Sequence, residues 1–347
     1  MEDHTIYMRR CLELAKNGLG TTFPNPMVGS VIVCDGKIIG EGWHKKSGEP
    51  HAEVNAVNAV KDKTLLKRST IYVSLEPCSH FGKTPPCCDL IIENKIPNVV
   101  VGTLDCNEKV SGNGIKRLVE AGANVTVGVL EMECKELNKR FFTFHEKKRP
   151  YVILKWAETQ DGFIAPLTKS EQKPVWISNE FSRQLVHKWR SEEQAILVGT
   201  QTVIDDNTKL DVRNWAGKNP IRIVLEQKNR IPYNYHVFDN QLKTVILSSK
   251  VTKINEENTI FETIDFKKNS AEQILNVLYK HKIQSVIIEG GLQTLQTFID
   301  SNLWDEARIF IGSQRFVTGI KAPNFSLQNI KKNSVRNDIL IISRKND

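Results

Sequence analysis

The sequence predicts an α/β protein with two layered domains, and three observations carry that prediction. Its 347 residues indicate two domains at roughly 100–200 residues each, and each is long enough to bury a core. Short β-rich runs alternate with helical patterns along both halves, as in layered folds built on mostly parallel sheets. All seven cysteines lie before residue 135, and five of the six tryptophans lie after residue 155. With a charged run at 146–150 between these halves, we expect domains at 1–147 and 148–347.

In the first half, helical periodicity and β-rich runs alternate. Apolar residues at helical spacing predict helices over 4–16, 52–60, 89–94, 114–121 and one long helix over 131–145. β-rich runs predict strands over 28–34, 37–42, 70–75, 98–102 and 124–127. Asp35-Gly36 predicts a hairpin between the first two strands, and we expect the rest of the sheet to be parallel.

The second half alternates in the same way. Strands are predicted over 151–156, 195–198, 221–225, 244–247, 285–288 and 306–311. Helices are predicted over 181–189, 271–281 and 292–299, and long loops over 226–242 and 312–334.

The net charge of +8 is dispersed along the chain, and its largest block is Lys147-Lys148-Arg149. A nucleic-acid-binding protein concentrates its basic residues on one face or helix, so the charge favours a solvated surface suited to phosphorylated small molecules. No apolar run approaches the roughly 18 residues of a membrane span. The N-terminus lacks the apolar region of a secretory signal, so we expect a cytoplasmic protein without disulfides.

Three short motifs in the first half have the residue types of a zinc deaminase. His51-Ala52-Glu53 opens a helix, Pro77-Cys78 follows a strand, and Pro86-Cys87 opens the next helix. One imidazole and two thiolates bind zinc and leave the fourth tetrahedral position to water, whose pKa falls to about 7. Glu53 can take the proton of that water and pass it to the leaving ammonia. We therefore expect one zinc ion per chain.

Two alternatives concern the ligands. Eight residues separate Cys78 from Cys87, where deaminases usually have two, and Cys88 competes as the third ligand. On a helix its side chain would point about 100° away from that of Cys87, which favours Cys87. His80 is interpreted as a loop or substrate contact. A purely structural zinc site would show four protein ligands.

The string PCSHFGKTPPC at 77–87 resembles the signature of the bifunctional deaminase/reductase family of riboflavin biosynthesis. The segments 24–29, 42–44 and 111–115 match the same family, and the resemblance continues over nearly the whole chain. It implies a cytidine-deaminase-like three-layer domain followed by a dihydrofolate-reductase-like domain. The first would remove the 2-amino group of a diaminopyrimidinone that carries a ribosylamino 5-phosphate. The second would reduce the ribosyl side chain to ribityl with NADPH.

The resemblance also implies residue roles in the first half. His51, Cys78 and Cys87 would be the zinc ligands, and Glu53 the proton shuttle. The residues that would line the substrate pocket are Asn25, His44, Lys83, Thr84, Asp105 and Asn107. Cys106 stands where the family usually has proline, so this loop loses rigidity.

In the second half, no G-x-G-x-x-G follows a strand, so the pattern alone does not indicate a Rossmann site. Three strand ends carry polar groups: Lys155 before Asp161-Gly162, Gly199-Thr200 before Asp205-Asp206, and Glu289-Gly290-Gly291. Glycines between a strand and a helix fit either a phosphate cradle or tight turns, and the residues alone leave both interpretations open.

The resemblance favours the cradle and assigns contacts to both ligands. NADPH would contact Trp176, Thr202, Asp206, Gly291, Leu292, Gln293, Thr294, Leu295, Gln296 and Thr297. The substrate would contact Arg190, Leu210, Arg213 and Glu289, where the guanidinium groups suit its phosphate. Lys155, at its strand end, is a further candidate at the substrate site, for electrostatic assistance. Departures from the family are Pro174 in place of a serine, Glu158 in place of a small residue, and Leu292-Gln293 in place of a Pro-Thr step.

These observations leave three hypotheses. The first is the two-step enzyme, acting on a phosphorylated pyrimidine with no nucleic-acid or membrane partner; the resemblance also implies a homo-oligomer. The second is a nucleic-acid-editing zinc deaminase with a C-terminal RNA-binding module, which requires a concentrated basic patch. The third is a zinc-stapled interaction protein, which requires a fourth ligand and has no use for Glu53.

Overall fold

The computed structural model describes residues 4–79, 81, 85–106, 112–168, 172, 174–250 and 256–345. The chain divides into two compact units, Met1–Lys147 and Lys148–Asp347. Within the described residues, no helix combines the length and apolar character needed to cross a membrane.

The first unit contains a five-stranded sheet, six α-helices and one 3-10 helix, Lys63–Arg68, among its described residues. The strands are β1 (Gly29–Cys34), β2 (Lys37–Trp43), β3 (Thr70–Val73), β4 (Asn98–Val101) and β5 (Asn124–Val127). The helices are α1 (His4–Lys16), α2 (Ala52–Ala59), α3 (Cys87–Glu93), α4 (Asn113–Glu120), α5 (Glu131–Leu137) and α6 (Lys139–Glu146). The sheet order is β2-β1-β3-β4-β5. In addition to its hairpin partner β2, strand β1 pairs antiparallel with β3. Only the β3–β4 and β4–β5 pairs are parallel, so the sheet has one parallel pair fewer than expected.

Alternation along the strands builds a core on each face of this sheet. Ile32, Ile71 and Val99 face α2, α3 and α4, whereas Val31 and Tyr72 face α1 on the other side. Two helical layers with a sheet between them therefore form the expected three-layer arrangement.

The single helix expected over 131–145 is wrong, because the structure breaks it at Asn138. This residue leaves the helical conformation at φ −100° and ψ 21°. Its buried side chain accepts a hydrogen bond from the Met27 amide and donates one to the Met27 carbonyl oxygen, both at 2.8 Å. A distant loop thus interrupts a pattern that is continuous in local sequence.

The second unit is built on a nine-stranded sheet with a separate two-stranded ribbon. Its strands are β6 (Tyr151–Glu158), β7 (Phe163–Ala165), β8 (Ala195–Gly199), β9 (Ile221–Leu225), β10 (Thr244–Ser248), β11 (Thr259–Thr263), β12 (Ser285–Ile288), β13 (Glu306–Ile311), β14 (Ile320–Lys321), β15 (Lys331–Val335) and β16 (Asp338–Arg344). Its helices are α7 (Glu180–Glu192), α8 (Thr200–Asp206), α9 (Ser270–Lys280) and α10 (Leu292–Asp300). The large sheet runs β11-β10-β9-β8-β12-β6-β13-β16-β15, and β14 pairs with β7.

The expected loops contain some regular structure. A single 3-10 turn, His236–Phe238, lies in 226–242, and β14 with most of β15 lies in 312–334. The strands β7, β11 and β16 and the helix α8 were not anticipated. The five residues of β15, Lys-Lys-Asn-Ser-Val, show no apolar alternation, and their strand conformation depends on antiparallel pairing with β16.

The parallel part of the large sheet brings three polar strand ends together. The strands β8, β12 and β6 are neighbours and run in the same direction. Gly199 ends β8, Glu289 follows β12, and Lys155 lies in the second half of β6. Ligands of open α/β sheets bind at this carboxyl edge, so the fold alone indicates where to look for a site.

Candidate functional site

His51, Cys78 and Cys87 form a compact group in the first unit. His51 caps the N-terminus of α2, Cys78 follows β3, and Cys87 begins α3. The Nδ1 atom of His51 lies 3.6 Å from Sγ of Cys78 and 3.4 Å from Sγ of Cys87. The three ligand atoms lie within 4.8 Å of one another, and among the described residues no fourth His, Cys, Asp or Glu joins them.

The donor set and its spacing fit zinc. With Zn–N and Zn–S bonds of about 2.0 and 2.3 Å, a tetrahedral ion holds nitrogen and sulfur ligands about 3.6 Å apart. Both measured nitrogen–sulfur distances agree with this value to within about 0.2 Å. Three protein ligands leave one position for water, which is the arrangement of catalytic zinc sites.

The side chain of Cys88 points elsewhere. Its sulfur lies 3.3 Å from the Pro77 carbonyl oxygen and 3.6 Å from that of Gly114. Burial raises the pKa of this thiol to about 12. The geometry therefore brings Cys87, and not its neighbour, to His51.

The thiolate that a metal needs is favoured at Cys78 even without the ion. Hydrogen bonds from Cys87 and His51, opposed by burial, lower the pKa of Cys78 to about 4. The backbone amide of Cys87 donates to the same sulfur over 3.3 Å. The pKa of Cys87 is raised, since this thiol donates to the Cys78 thiolate and is itself buried.

Glu53 lies in the first turn of α2, two residues after His51, and is only 3% exposed. Burial and the neighbouring Cys78 thiolate raise the pKa of its carboxyl to about 7, although His51 opposes this. A carboxyl group that exchanges its proton near neutral pH, next to the metal ligands, can act as a general acid and base.

Asn25 and His44 form a hydrogen-bonded pair beside the metal ligands. The amide nitrogen of Asn25 lies 3.1 Å from Nε2 of His44, and Nδ1 of His44 lies 3.3 Å from the Pro50 carbonyl oxygen. The amide group donates to Nε2 and the carbonyl oxygen accepts from Nδ1, so the ring is neutral in a single tautomer. The ring meets that of His51 edge-on, with centroids 5.2 Å apart.

Two buried polar residues that the sequence reasoning missed hold this region in place. Asn138 fastens the loop that carries Asn25 through its two hydrogen bonds to Met27. The carboxylate of Glu76 accepts hydrogen bonds from the backbone amides of Asp105, Gly112, Gly114 and Ile115, over 2.9–3.4 Å. The position of Glu76 directly before Pro77-Cys78 was the only sequence signal for it.

The structure describes only one of the remaining residues expected to line the substrate pocket of the first unit. Asp105 is buried, with its backbone amide held by Glu76. Lys83, Thr84 and Asn107, with His80, lie outside the described residues.

The second unit contains a cavity of about 1230 Å³ at the carboxyl edge of β8, β12 and β6. Its lining includes Lys155, Trp176, Arg190, Thr202, Asp206, Leu210, Arg213, Glu289, Gly291, Leu292, Gln293, Thr294, Leu295 and Thr297, which are all sequence-predicted site residues. Gln296 is not part of that lining. Its side chain donates to Asp300 and accepts from the backbone amide of Asn324, so it is directed away from the cavity.

Close contacts between the glycine segments at the ends of β8 and β12 shape this cavity. The amide of Gly199 donates to the carbonyl oxygen of Gly290 over 3.0 Å, and a Cβ at Gly199 would lie 2.7 Å from Oγ1 of Thr294. Gly290 has a φ of +121°, which other residues rarely adopt. The glycines therefore permit close packing of the β8 and β12 ends around the start of α10, which begins at Leu292.

A buried ion pair forms part of the cavity wall. Arg190 donates from Nε and Nη2 to the two carboxylate oxygens of Glu289, at 3.2 and 2.8 Å. Burial alone would raise the pKa of Glu289, but the positive charges of Arg190 and Lys155 lower it to about 2. Burial lowers the pKa of Lys155, and Glu289 partly compensates.

Six basic and three acidic side chains line the cavity, so it attracts anionic ligands. Sequence reasoning missed Arg183, whose guanidinium lies 4.7 Å from the ring centroid of Trp176. It also missed His187, which shares a face of α7 with Arg183 and Arg190. Their spacing of four and three residues along α7 was the signal that could have found them.

Comparisons with known proteins agree with this division of the chain. Residues 1–103 match the family described as the cytidine and deoxycytidylate deaminase zinc-binding region. Residues 150–337 match the RibD C-terminal domain.

Whole-length relatives are similar along both units. The riboflavin biosynthesis protein RibD of Aquifex aeolicus is 40% identical over 332 residues, which cover 94% of this chain and 91% of that protein. RibD of Escherichia coli is 35% identical over 329 residues, which cover 90% and 88%. A crystal structure of a diaminohydroxyphosphoribosylaminopyrimidine deaminase/5-amino-6-(5-phosphoribosylamino)uracil reductase from Thermotoga maritima has a TM-score of 0.87 at 37% identity and covers 98% of both chains. The expected pairing of a deaminase-like and a reductase domain is thereby confirmed.

Proposed function

The chain belongs to the RibD family, bifunctional deaminase and reductase enzymes of riboflavin biosynthesis, and on that premise we propose which of its residues carry each reaction. It is a zinc-dependent deaminase and an NADPH-dependent reductase that acts on small molecules. The single observation that carries the assignment for the first unit is the group of His51, Cys78 and Cys87, with the buried Glu53 beside it.

In the deaminase unit, His51, Cys78 and Cys87 hold the zinc ion. Zinc supplies, when bound, the Lewis acidity that activates a water molecule near neutral pH. Glu53 takes a proton from that water on one oxygen and passes it to the departing amino group, which leaves as ammonia. Its position two residues after a ligand, on the rigid first turn of α2, keeps the carboxyl group beside the reacting atoms.

The substrate of this unit is a phosphorylated pyrimidine, 2,5-diamino-6-(5-phosphoribosylamino)pyrimidin-4-one. Asn25 and His44 offer hydrogen-bonding groups beside the metal ligands, and Asp105 lies on a loop held by Glu76. By resemblance to the family, Lys83, Thr84 and Asn107 complete the pocket.

In the reductase unit, the cavity holds NADPH and the deaminated product side by side. NADPH supplies a hydride when bound. Trp176, Thr202 and Asp206 contact it, together with the segment from Gly291 to Thr297, where the N-terminus of α10 suits a phosphate group. We leave Gln296 out of this set because of its outward bonds.

The substrate of the reductase binds on the opposite, arginine-bearing side of the cavity. Arg190 and Arg213 bind its phosphate or orient its sugar, and Glu289 and Lys155 line the same cavity. Leu210 contributes an apolar surface, and the product is 5-amino-6-(5-phosphoribitylamino)uracil.

Two assays with the full chain test this function. Zinc-loaded protein should release ammonia from the diaminopyrimidinone phosphate, and Glu53→Gln should abolish that release. Glu93→Gln, an exposed carboxylate at the end of α3, is the matched control and should retain it. With the deaminated product supplied, the absorbance of NADPH should fall. Full ammonia release by Glu53→Gln, or no NADPH oxidation, would contradict the respective assignment.

Compartment and assembly complete the proposal. None of the seven cysteines forms a disulfide, which supports a cytoplasmic location because a reducing compartment keeps thiolates available to the metal. We also infer a homo-oligomer, and a monomeric mass in light scattering would contradict it. A nucleic-acid-editing deaminase is not favoured, since the second half matches a reductase domain. Tight, salt-sensitive binding of tRNA would be the evidence for that alternative function.

A further inference from the structure

His187 is a buried polar residue of the reductase cavity to which the proposed function gives no role. It lies on α7, three residues before Arg190 and four after Arg183, and all three line the cavity. Residues at this spacing share one face of a helix, so the face that presents arginines also presents an imidazole. The side chain is only 4% exposed.

The tautomer of this imidazole follows from its single hydrogen bond. Nδ1 lies 3.1 Å from the carbonyl oxygen of Asp211. A carbonyl oxygen only accepts, so Nδ1 carries the proton and Nε2 of the neutral ring presents a lone pair. The same carbonyl oxygen accepts from Nη1 of Arg190 over 3.2 Å, which ties both side chains to the loop that carries Arg213.

The surroundings keep the ring neutral. Burial and the positive charges of Arg190 and Arg213 lower the pKa of His187 to about 4. Among the described residues, Nε2 of His187 has no hydrogen-bond partner. It is also not one of the fully buried polar atoms that lack a partner, so a ligand in the cavity can reach it. The ring therefore offers a hydrogen-bond acceptor to the cavity, on a wall where its polar neighbours Arg183 and Arg190 are donors.

We propose that Nε2 of His187 accepts a hydrogen bond from a hydroxyl group of the ribosyl chain of the reductase substrate, and that it positions this chain for reduction. The inference rests on the proposed reductase function. A phosphate dianion has only acceptor oxygens and is served by the arginines, whereas a sugar hydroxyl can donate to a neutral imidazole. His187 is in this sense a specificity-determining residue for the polyhydroxylated chain.

A purely structural role for His187 is the competing explanation, and two substitutions separate it from the proposal. His187→Asn keeps an amide group near the place of Nδ1, able to donate to Asp211, but has no atom at the place of Nε2. His187→Gln brings an amide oxygen near the place of Nε2 but loses the Nδ1 donor. The proposal expects the asparagine variant to be the more impaired in substrate use, and a structural role expects the glutamine variant to be.

The decisive experiment compares the deaminated substrate with its 2′-deoxy and 3′-deoxy ribosyl analogues, using the zinc-loaded full chain and NADPH. With wild type, kcat/KM should fall about fivefold for one analogue, as expected for one lost neutral hydrogen bond. His187→Asn should lose a similar factor on the full substrate and show no further loss on that analogue. His187→Gln should still discriminate. The Kd of NADPH, measured by fluorescence, should be unchanged in both variants.

Each outcome decides a different claim. Equal kcat/KM of wild type on all three compounds overturns the role of His187, and so does undiminished discrimination by His187→Asn. The proposed reductase function fails separately, if wild type does not oxidise NADPH with the full substrate. Calorimetric titration of the ribitylated product gives a readout apart from turnover, in which His187→Asn should weaken binding by the same factor.

Discussion

Replacing Glu289 by glutamine tests how strongly a buried ion pair stabilises the reductase unit. The carboxylate receives two hydrogen bonds from Arg190, and the side chains of the pair are only 9% and 11% exposed. Lys155 adds a second positive charge nearby. Glu289→Gln leaves the shape almost unchanged and removes the negative charge from between two cations.

The magnitude follows from the pKa of Glu289. Its carboxyl has an ordinary pKa of 4.5, and in the folded chain Arg190 and Lys155 overcome burial and lower the pKa to about 2. The difference of about 2.5 pH units corresponds to about 3 kcal/mol at pH 7. At about 2–4 °C per kcal/mol, the variant should melt about 6–12 °C lower.

The pH dependence of this contribution has a definite sign. A carboxylate with a lowered pKa stabilises the fold fully above its unfolded value of 4.5. That stabilisation disappears as the pH falls from 4.5 towards 2, because the unfolded and then the folded chain take up the proton. The difference between wild type and variant should therefore shrink across this window.

Scanning calorimetry of the full chain measures the effect. The transition that NADPH shifts upward belongs to the reductase unit. Glu192→Gln on α7 is the matched control, since its carboxylate pairs with the exposed Lys188 at 3.8 Å and should contribute less than about 1 kcal/mol. A Glu289→Gln transition within 1 °C of wild type at pH 7, or an equal deficit at pH 3, would refute the reasoning.

Three further predictions concern the deaminase unit. Cys78→Ser should lose zinc, measured by elemental analysis, and its rate of ammonia release should fall more than about 100-fold. NADPH oxidation with the deaminated substrate should continue. Retained zinc would contradict the ligand assignment. Asn138→Ala removes two buried hydrogen bonds to Met27 and should destabilise this unit by about 2–3 kcal/mol in urea unfolding and raise the deaminase KM; an unchanged midpoint would contradict it. Gly114→Ala places a Cβ 2.2 Å from the carbonyl oxygen of Pro77, the residue before Cys78, and should weaken zinc retention against a chelator. Retention equal to wild type would show that the backbone can move there without disturbing the metal site.

Much of the fold could be predicted because its elements satisfy local rules. All five strands of the first sheet and six of the nine strands of the second lie at the expected places. The helices α1, α9 and α10 lie within one residue of their predicted ranges, and α7 extends three residues beyond its predicted end. Some of the elements that were not predicted depend on distant partners, whereas β16 is a local apolar run that the sequence did offer. The strand β15 has no apolar pattern and exists through its pairing with β16, and the helix break at Asn138 exists through Met27.

The candidate sites divide in the same way. The motif around His51, Cys78 and Cys87 was readable because the chemistry of zinc demands few residue types at few places in the chain. The choice between Cys87 and Cys88 was argued from helix geometry, and the hydrogen bonds of Cys88 to two backbone carbonyls give its physical basis. The hydrogen-bond partners of Glu76 and Asn138 could not be predicted from the sequence, because they lie 29–39 and 111 residues away along the chain.

By itself, the sequence determined the two-domain α/β class, the group of His51, Cys78 and Cys87 that we propose as zinc ligands, and the strand ends that carry Lys155 and Glu289. These depend on periodicity and on residue type, which are local properties of the chain. Only the tertiary structure decided that Glu289 meets Arg190, that Gln296 faces away, and that His187 presents a lone pair to the cavity. Those facts depend on which backbone carbonyls and carboxylates the fold brings within about 3 Å, a distance that no pattern in one segment specifies.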